Sequence, residues 1–290
     1  MKKLLTGITL LVTVTSFGQS KTEKIAREFT FEKKGTNNAV IIANINGSIT
    51  IEGYAGDVVQ VEAEKIIQGK TQARLDNGVR EINLGVIDRA DTILLYIQGV
   101  CGSFRKLSNG KGSHGGWNYD WDNCRDDEKG YDYRMNFRVR IPASVNVSVS
   151  TINSGEIAIT KVSGQVVAEN INGGIRLASL TTSAKATTIN GDVDIQYEQN
   201  PAAACRFYTL NGDINAHFKK GLSSDVSFQS FNGSFYTNIE QLTALPVRVE
   251  KESGSHGVKY KINGNQFRTR NGGAKLDFET FNGNVYLREN

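Results

Sequence analysis

Both tryptophans of the chain, Trp117 and Trp121, stand beside Tyr119 and alternate with Asp120 and Asp122 in one short stretch. Aromatic rings that stack on sugar faces, next to carboxylates that accept from hydroxyls, suit contact with a glycan or a peptide. The carboxylates, followed by Asp126, Asp127 and Glu128, could also gather calcium. However, Asp120-Trp121-Asp122-Asn123 lacks the full loop and closing glutamate of a hand-type calcium site. A third reading makes residues 99–133 a flap whose aromatics cover one end or side of the fold. Cys101 and Cys124 bracket this Gly-rich insertion and are the pair expected to close if the compartment is oxidising; Cys205 is then a buried apolar residue in a strand. Nothing has the spacing of a zinc or iron–sulfur site, so no metal centre and no cofactor are assigned, calcium being the one weak candidate.

Outside that insertion, residues able to do chemistry are dispersed. His114, His217 and His256 have no neighbours at ligand or triad spacing, and nucleophilic serine motifs, phosphate-cradling loops and dinucleotide fingerprints are absent. A glycosidase needs two carboxylates facing each other across a sugar. Asp192 and Asp194 follow one turn, and Asp213 and Asp225 lie on neighbouring repeats. Their simpler reading is as outward residues on solvated strands. The expectation is a non-catalytic protein, with a polysaccharide lyase or hydrolase as the enzyme alternative and no catalytic residue assigned.

The elements that would position these residues come from a repeat. The phrases NINGSI at 44, TINSGEI at 151, NINGGI at 170, TINGDV at 188, TLNGDI at 209, SFNGSF at 230 and TFNGNV at 280 share an Asn-Gly turn followed by an alternating strand. From Gly155 through Gly173, Gly191 and Gly212 to Gly233 the spacings are 18, 18, 21 and 21 residues, which is solenoid spacing. Before each turn one parity runs apolar, apolar, small polar, Asn, as in Val147, Val149, Thr151, Asn153 and in Cys205, Phe207, Thr209, Asn211. Period-two alternation of this kind marks strands with one buried face. It predicts an inner ladder of Asn153, Asn172, Asn190, Asn211, Asn232 and Asn282, with amides bonded to one another and to the turn backbone.

The opposite parity carries Ile45, Ile152, Ile171, Ile189, Leu210, Phe231 and Phe281. In register these make an apolar ridge, either packed under another layer of the protein or open as a docking strip for a partner or a second copy. The N-terminal half is less regular, with strands expected at Val58–Ile67, Arg80–Val86, Asp91–Ile97 and Arg134–Ile141 and no long helix. Between Gly233 and Gly283 the interval is 50 residues, so an irregular coil, bulge or hairpin is expected there as a cap.

The fold class is therefore all-β, a solenoid with coils of about 18–21 residues. Composition agrees: 39% apolar and 22% charged residues suit a soluble globular chain. The start Met1-Lys2-Lys3, the apolar run from Leu4 to Phe17 and the small residues Ser16 and Gly18 read as a secretory signal cut after Gly18. Residues 1–18 are then a leader, and 19–290 a single exported domain, periplasmic, surface-held or released. The formal charge of +4 falls to +2 without Lys2 and Lys3, which gives no support to nucleic acid as a partner.

The serial Thr-x-Asn-Gly-x-Ile/Val strands, the strand running into Ile141-Pro142-Ala143 and the N-terminal signal resemble the bacterial "putative adhesin" domain family. The chain also looks like a relative of the head-domain family of putative auto-transporter adhesins. The resemblance spans roughly residues 37–290, with 99–133 outside the motif. It implies a right-handed β-helix-like solenoid, export and no established enzymatic activity, and it carries over no ligand residues. Partners expected are a protein or glycan outside the cell, or a neighbouring component in envelope assembly or sensing.

Overall fold

The computed structural model describes residues 19–99, 103–106, 117–120, 129–246, 248–254, 257–263 and 265–290. The chain passes repeatedly between two mixed β-sheets of ten and eleven strands. Asn146–Thr151 lies in the larger sheet, the chain turns at an Asn-containing corner, and Ile157–Thr160 lies in the smaller one. It then returns to Val166–Asn170, which pairs in parallel with Asn146–Thr151. Register is kept from coil to coil: Val149 faces Ala168, Ala168 faces Ala186, Ala186 faces Phe207, Phe207 faces Phe278 and Phe278 faces Phe228. The inward columns from both sheets meet in one core cluster. Full burial of each large apolar side chain contributes roughly 1.5–3 kcal/mol.

Small polar residues just before each corner explain why the repeat carries Thr or Asn there. Thr151, Thr188, Thr209 and Thr280 are buried, and their hydroxyls donate to the carbonyls of Gly47, Gly173, Gly191 and Gly212 on the preceding coil, at 2.8–3.2 Å. Asn170 does the same work with its amide, reaching the carbonyls of Gly155 and Gly174. The stacked corners approach so closely that only glycine fits. A Cβ on Gly191, whose φ is +155°, would collide with the carbonyl of Gly173, and one on Gly212 with the carbonyl of Gly191.

The Asn ladder exists, but it is exposed rather than internal. Asn172 donates to Asn153, Asn190 to Asn172, Asn211 to Asn190, Asn282 to Asn211 and Asn232 to Asn282, at 2.8–3.1 Å. The chain turns out of the core right after the buried Thr or Asn, so strand parity no longer carries the next asparagine inward. The order also differs from the sequence order, since Asn282 stands between Asn211 and Asn232. Strand Ser224–Asn232 overshoots by one position, and Ala274–Asn282 returns to fill the gap beside Cys205–Asn211. The same overshoot occurs at the other end. There Tyr131–Pro142 lies outside Ile49–Tyr54, which in turn pairs with Ile157–Thr160.

Antiparallel elements close both ends. Gln19–Phe29, Val59–Gly69 and Tyr131–Pro142 run side by side, and Asn83–Asp88 pairs with Thr92–Gln98. The strand expected from Arg80 instead begins at Asn83, because Gln72–Glu81 forms a helix. Thr71 caps it, accepting from the Arg74 amide, and Leu75 and Gly78 face the sheet. Lys65 is buried and donates to the carbonyls of Val79 and Ile82 at the helix C-terminus, while pairing with Glu23 of the edge strand at 2.8 Å. At the opposite end, the interval that interrupts the repeat supplies Leu242–Ala244 and Gln266–Thr269, antiparallel to each other, with Gln266–Thr269 also antiparallel to Ser224–Asn232. It also supplies a separate hairpin, Arg248–Gly254 with Gly257–Asn263.

Thr188→Val should lower the urea midpoint by the equivalent of about 1–2 kcal/mol, because it leaves the Gly173 carbonyl without its hydroxyl donor. Gly191→Ala should cost more, and the outward Thr187→Val little. The Lys65 partner holds the Glu23 carboxyl below its ordinary value of 4.5. That contribution is complete above the ordinary carboxylate range and is lost as pH falls through the depressed value. Amide exchange of Gln19–Phe29, corrected for intrinsic rates, should therefore accelerate between pH 6 and pH 3, and Glu23→Gln should remove this pH dependence.

Candidate functional site

The ridge is the largest organised feature the architecture does not consume. Ile171 and Ile189 follow the inward positions Asn170 and Thr188, and Leu210, Phe281 and Phe231 occupy the same place on the next three coils. Being between an inward hydroxyl and a corner asparagine, each points out of the larger sheet. Exposure is uneven along the row and highest at its far end: Ile45 is 6% exposed, Ile171 and Ile189 37%, Leu210 is half-buried, and Phe281 is 44% and Phe231 74% exposed. The rings of Phe231 and Phe281 stack at 4.8 Å and 3°. With strands 4.7–4.9 Å apart, the open row from Ile171 to Phe231 is roughly 19 Å long. A rim of ion pairs runs alongside it, Lys185 to Glu169 at 3.2 Å and Arg206 to Glu279 at 3.0 Å. An apolar centre with a polar rim is the anatomy of a protein interface.

The buried end of the row shows what covers it. The insertion forms a hairpin of Ser103–Lys106 and Trp117–Asp120. Phe104 stacks on Tyr96 at 4.6 Å and tilts against Tyr119 at 5.1 Å. Tyr119 packs with Ala43 and Ile45, and Ile152 is half-buried against the same cluster. The Tyr119 hydroxyl accepts from the Ile97 amide at 2.7 Å and lies within donating distance of the carbonyls of Ala43 at 3.0 Å and Ile97 at 3.2 Å. Burial pushes its phenol well above the usual range. Tyr119 is thus an anchor of the flap and not a surface contact, because its ring spans two adjacent strands of the sheet. Trp121, Asp122, Cys101 and Cys124 lie outside the described residues, as do the side chains of Trp117 and Asp120.

The carboxylates weighed for glycosidase chemistry are engaged between coils. Asp192 accepts from the Asp213 amide at 2.8 Å, and Asp213 from the Asn284 amide at 2.7 Å. Asp194 accepts from the Asn215 side chain, and Asp225 holds Arg268 through two bonds of 2.7 and 3.0 Å. Asp192 and Asp213, with Asn284, form a second rail at the corners, one that the alternating pattern alone did not reveal. Cys205 is a free, buried thiol beside the Tyr197 hydroxyl at 3.1 Å, and burial raises its pKa. Among the described residues no group of three or more His, Cys, Asp or Glu side chains is placed to hold a metal ion. No helix of the described residues is long and apolar enough to cross a membrane.

Residues 143–266 match the family described as Toastrack DUF4097. No curated protein matches the chain. Among solved structures, the chain is similar to a putative cell adhesion protein from Clostridium sporogenes ATCC 15579, at 11% identity and a TM-score of 0.45, over 93% of this chain and 100% of that one. It is also similar to a putative adhesin from Bacteroides fragilis NCTC 9343, at 14% identity and a TM-score of 0.35, over 92% and 97% of the two chains.

Tyr119→Phe should loosen the hairpin from the first two rungs of the ridge, since the Ile97 amide loses its acceptor. Cleavage of the insertion by a dilute protease should accelerate several-fold, and binding of an apolar fluorescent dye should rise as Ile45 and Ile152 become accessible. An unchanged cleavage rate would mean that ring packing alone secures the flap.

Proposed function

We propose that residues 19–290 form a single exported, non-catalytic binding scaffold of the cell envelope, adhesin-like in class. Its working surface is the open row Ile171, Ile189, Leu210, Phe281 and Phe231. The observation that carries the reading is the unequal treatment of one continuous column. At Ile45 and Ile152 the chain covers the ridge with its own aromatic hairpin, whereas Ile171, Ile189, Phe281 and Phe231 of the same column are exposed, Leu210 between them is half-buried, and exposure peaks at Phe231. The partner that fits is a protein presenting an apolar strand or hairpin, as Phe104 and Tyr119 do within the molecule. The leader supports export, and the motif resemblance supports a right-handed β-helix-like winding of the coils. The scaffold needs no cofactor for docking of this kind.

In-cell photocrosslinking separates this role from a purely structural one. A benzophenone amino acid at position 281 should give a discrete protein adduct, and the same probe at outward position 236 should not. Ile189→Glu should abolish the adduct while leaving the melting midpoint within a few degrees. Unfolding of Ile189→Glu, or equal adducts from positions 281 and 236, would overturn the docking role.

A further inference from the structure

We propose that the smaller sheet carries a second, separate site near its N-terminal end: a side-chain-lined groove for an uncharged saccharide. Four neighbouring strands, Gln19–Phe29, Val59–Gly69, Tyr131–Pro142 and Ile49–Tyr54, form its floor. Their inward parity is core, with Ile49, Ala63 and Phe137 buried. Their outward parity lines a concavity of about 540 Å³. That volume lies inside the range of roughly 300–1,000 Å³ usual for small-ligand sites.

Pairing register arranges the lining as two rows across the strands. In one, the Ser48 amide and hydroxyl both donate to the Asn136 side chain, whose amide donates to Glu64 at 3.2 Å, with Lys24 next in line. In the other, Thr50 faces Arg138, Arg138 faces Glu62, and the row ends at the short side chain of Ala26. Arg138 and Glu62 are directly opposed and oppositely charged, yet among the described residues neither side chain makes an ion pair or a hydrogen bond. Elsewhere on the outer faces several cations do reach a carboxylate on a neighbouring strand: Arg268 closes on the directly opposed Asp225, and Lys161 on Glu52, Lys185 on Glu169 and Arg206 on Glu279 close across offset positions. A guanidinium and a carboxylate kept apart inside a concavity hold hydrogen-bonding capacity that the protein does not use.

The chemistry of the lining selects the ligand class. Two cations, Lys24 and Arg138, balance two carboxylates, Glu62 and Glu64, so neither an anion nor a cation is favoured over a neutral molecule. The groove lies on the face of paired strands, whose backbone groups are already committed to the ladder, so an added peptide strand gains no main-chain bonds there. A hydroxyl both accepts from Arg138 and donates to Glu62, and adjacent sugar hydroxyls can engage both at once. No aromatic platform lines the groove, so binding rests on these polar contacts and is weak for a single site.

The test is an array of neutral, sialylated and sulfated oligosaccharides probed with residues 19–290, followed by calorimetric titration of the best neutral binder. Glu62→Gln and Arg138→Gln should each weaken binding by about tenfold or more, the scale of one lost charged hydrogen-bonding group. Both side chains are exposed, so the melting midpoints should not move. Ile189→Glu should leave saccharide binding intact, which keeps this outcome separate from the fate of the ridge. Absence of any neutral binder would overturn the proposal, as would full affinity in Arg138→Gln. Preference for sulfated glycans that strengthens in Glu62→Gln would also overturn it, identifying a simple basic patch instead.

Discussion

One hydrogen bond recurs through the molecule and sets its geometry: the side chain just before each corner donates to the carbonyl of the corner glycine on the coil before. Thr188 to Gly173 and Thr209 to Gly191 are typical. A corner must turn the backbone away from the sheet ladder, leaving a carbonyl that the strands cannot satisfy, close to the core where water is scarce. An unpaired buried carbonyl costs on the order of 1–3 kcal/mol. A short hydroxyl or amide from the next coil removes that cost and ties two coils together. The glycines follow from the same contact, because the bond draws the corners so close that a Cβ would meet the neighbouring carbonyl.

Corner geometry then determines what the surface displays. With one residue fixed inward and the corner asparagine fixed at the rim, the residue between them must face out on every coil, whatever its type. Polar residues would be the ordinary occupants of such a column, yet it holds Ile, Leu and Phe. The molecule covers two of these positions with the Phe104–Tyr119 hairpin and leaves the rest bare, which makes the insertion an internal example of the contact the open row supports. On both sheets the same regularity sets opposite charges on neighbouring strands, where several close into ion pairs. In the groove the directly opposed Arg138 and Glu62 remain apart.

The ends show how a stack of coils is terminated without inviting unwanted pairing. The N-terminal edge strand carries Lys21, Glu23, Lys24, Arg27 and Glu28 at exposed positions, which disfavours addition of another chain. Lys65 holds that strand and the neighbouring helix with one buried ammonium. Because the chain overshoots at each end and then returns, the last coil added in space is not the last in sequence. A terminal coil is thereby held by chain on both of its sides in sequence and does not hang from a free end.

By itself the sequence determined the parts that depend on local period. Alternation marked the strands, the Thr-x-Asn-Gly phrase marked the corners, and the column lists of inward, ridge and ladder residues followed from parity alone. The cap expected between Gly233 and Gly283 was also legible, because a broken period leaves no other use for that length of chain. Tertiary structure decided everything that depends on which coil lies next to which. Asn282 sits between Asn211 and Asn232 because chain order and stacking order differ, and periodicity contains no information about that difference. The ladder is exposed because the corner turns these asparagines away from the core, although the strands still pair through Asn190, Asn211, Asn282 and Asn232. The helix at Gln72–Glu81 was missed because it carries few apolar residues and is held mainly by packing of Leu75 and Gly78 and by the Lys65 bonds. Whether a ridge residue is core or surface rested on the insertion, an aperiodic segment whose landing place no repeat can specify.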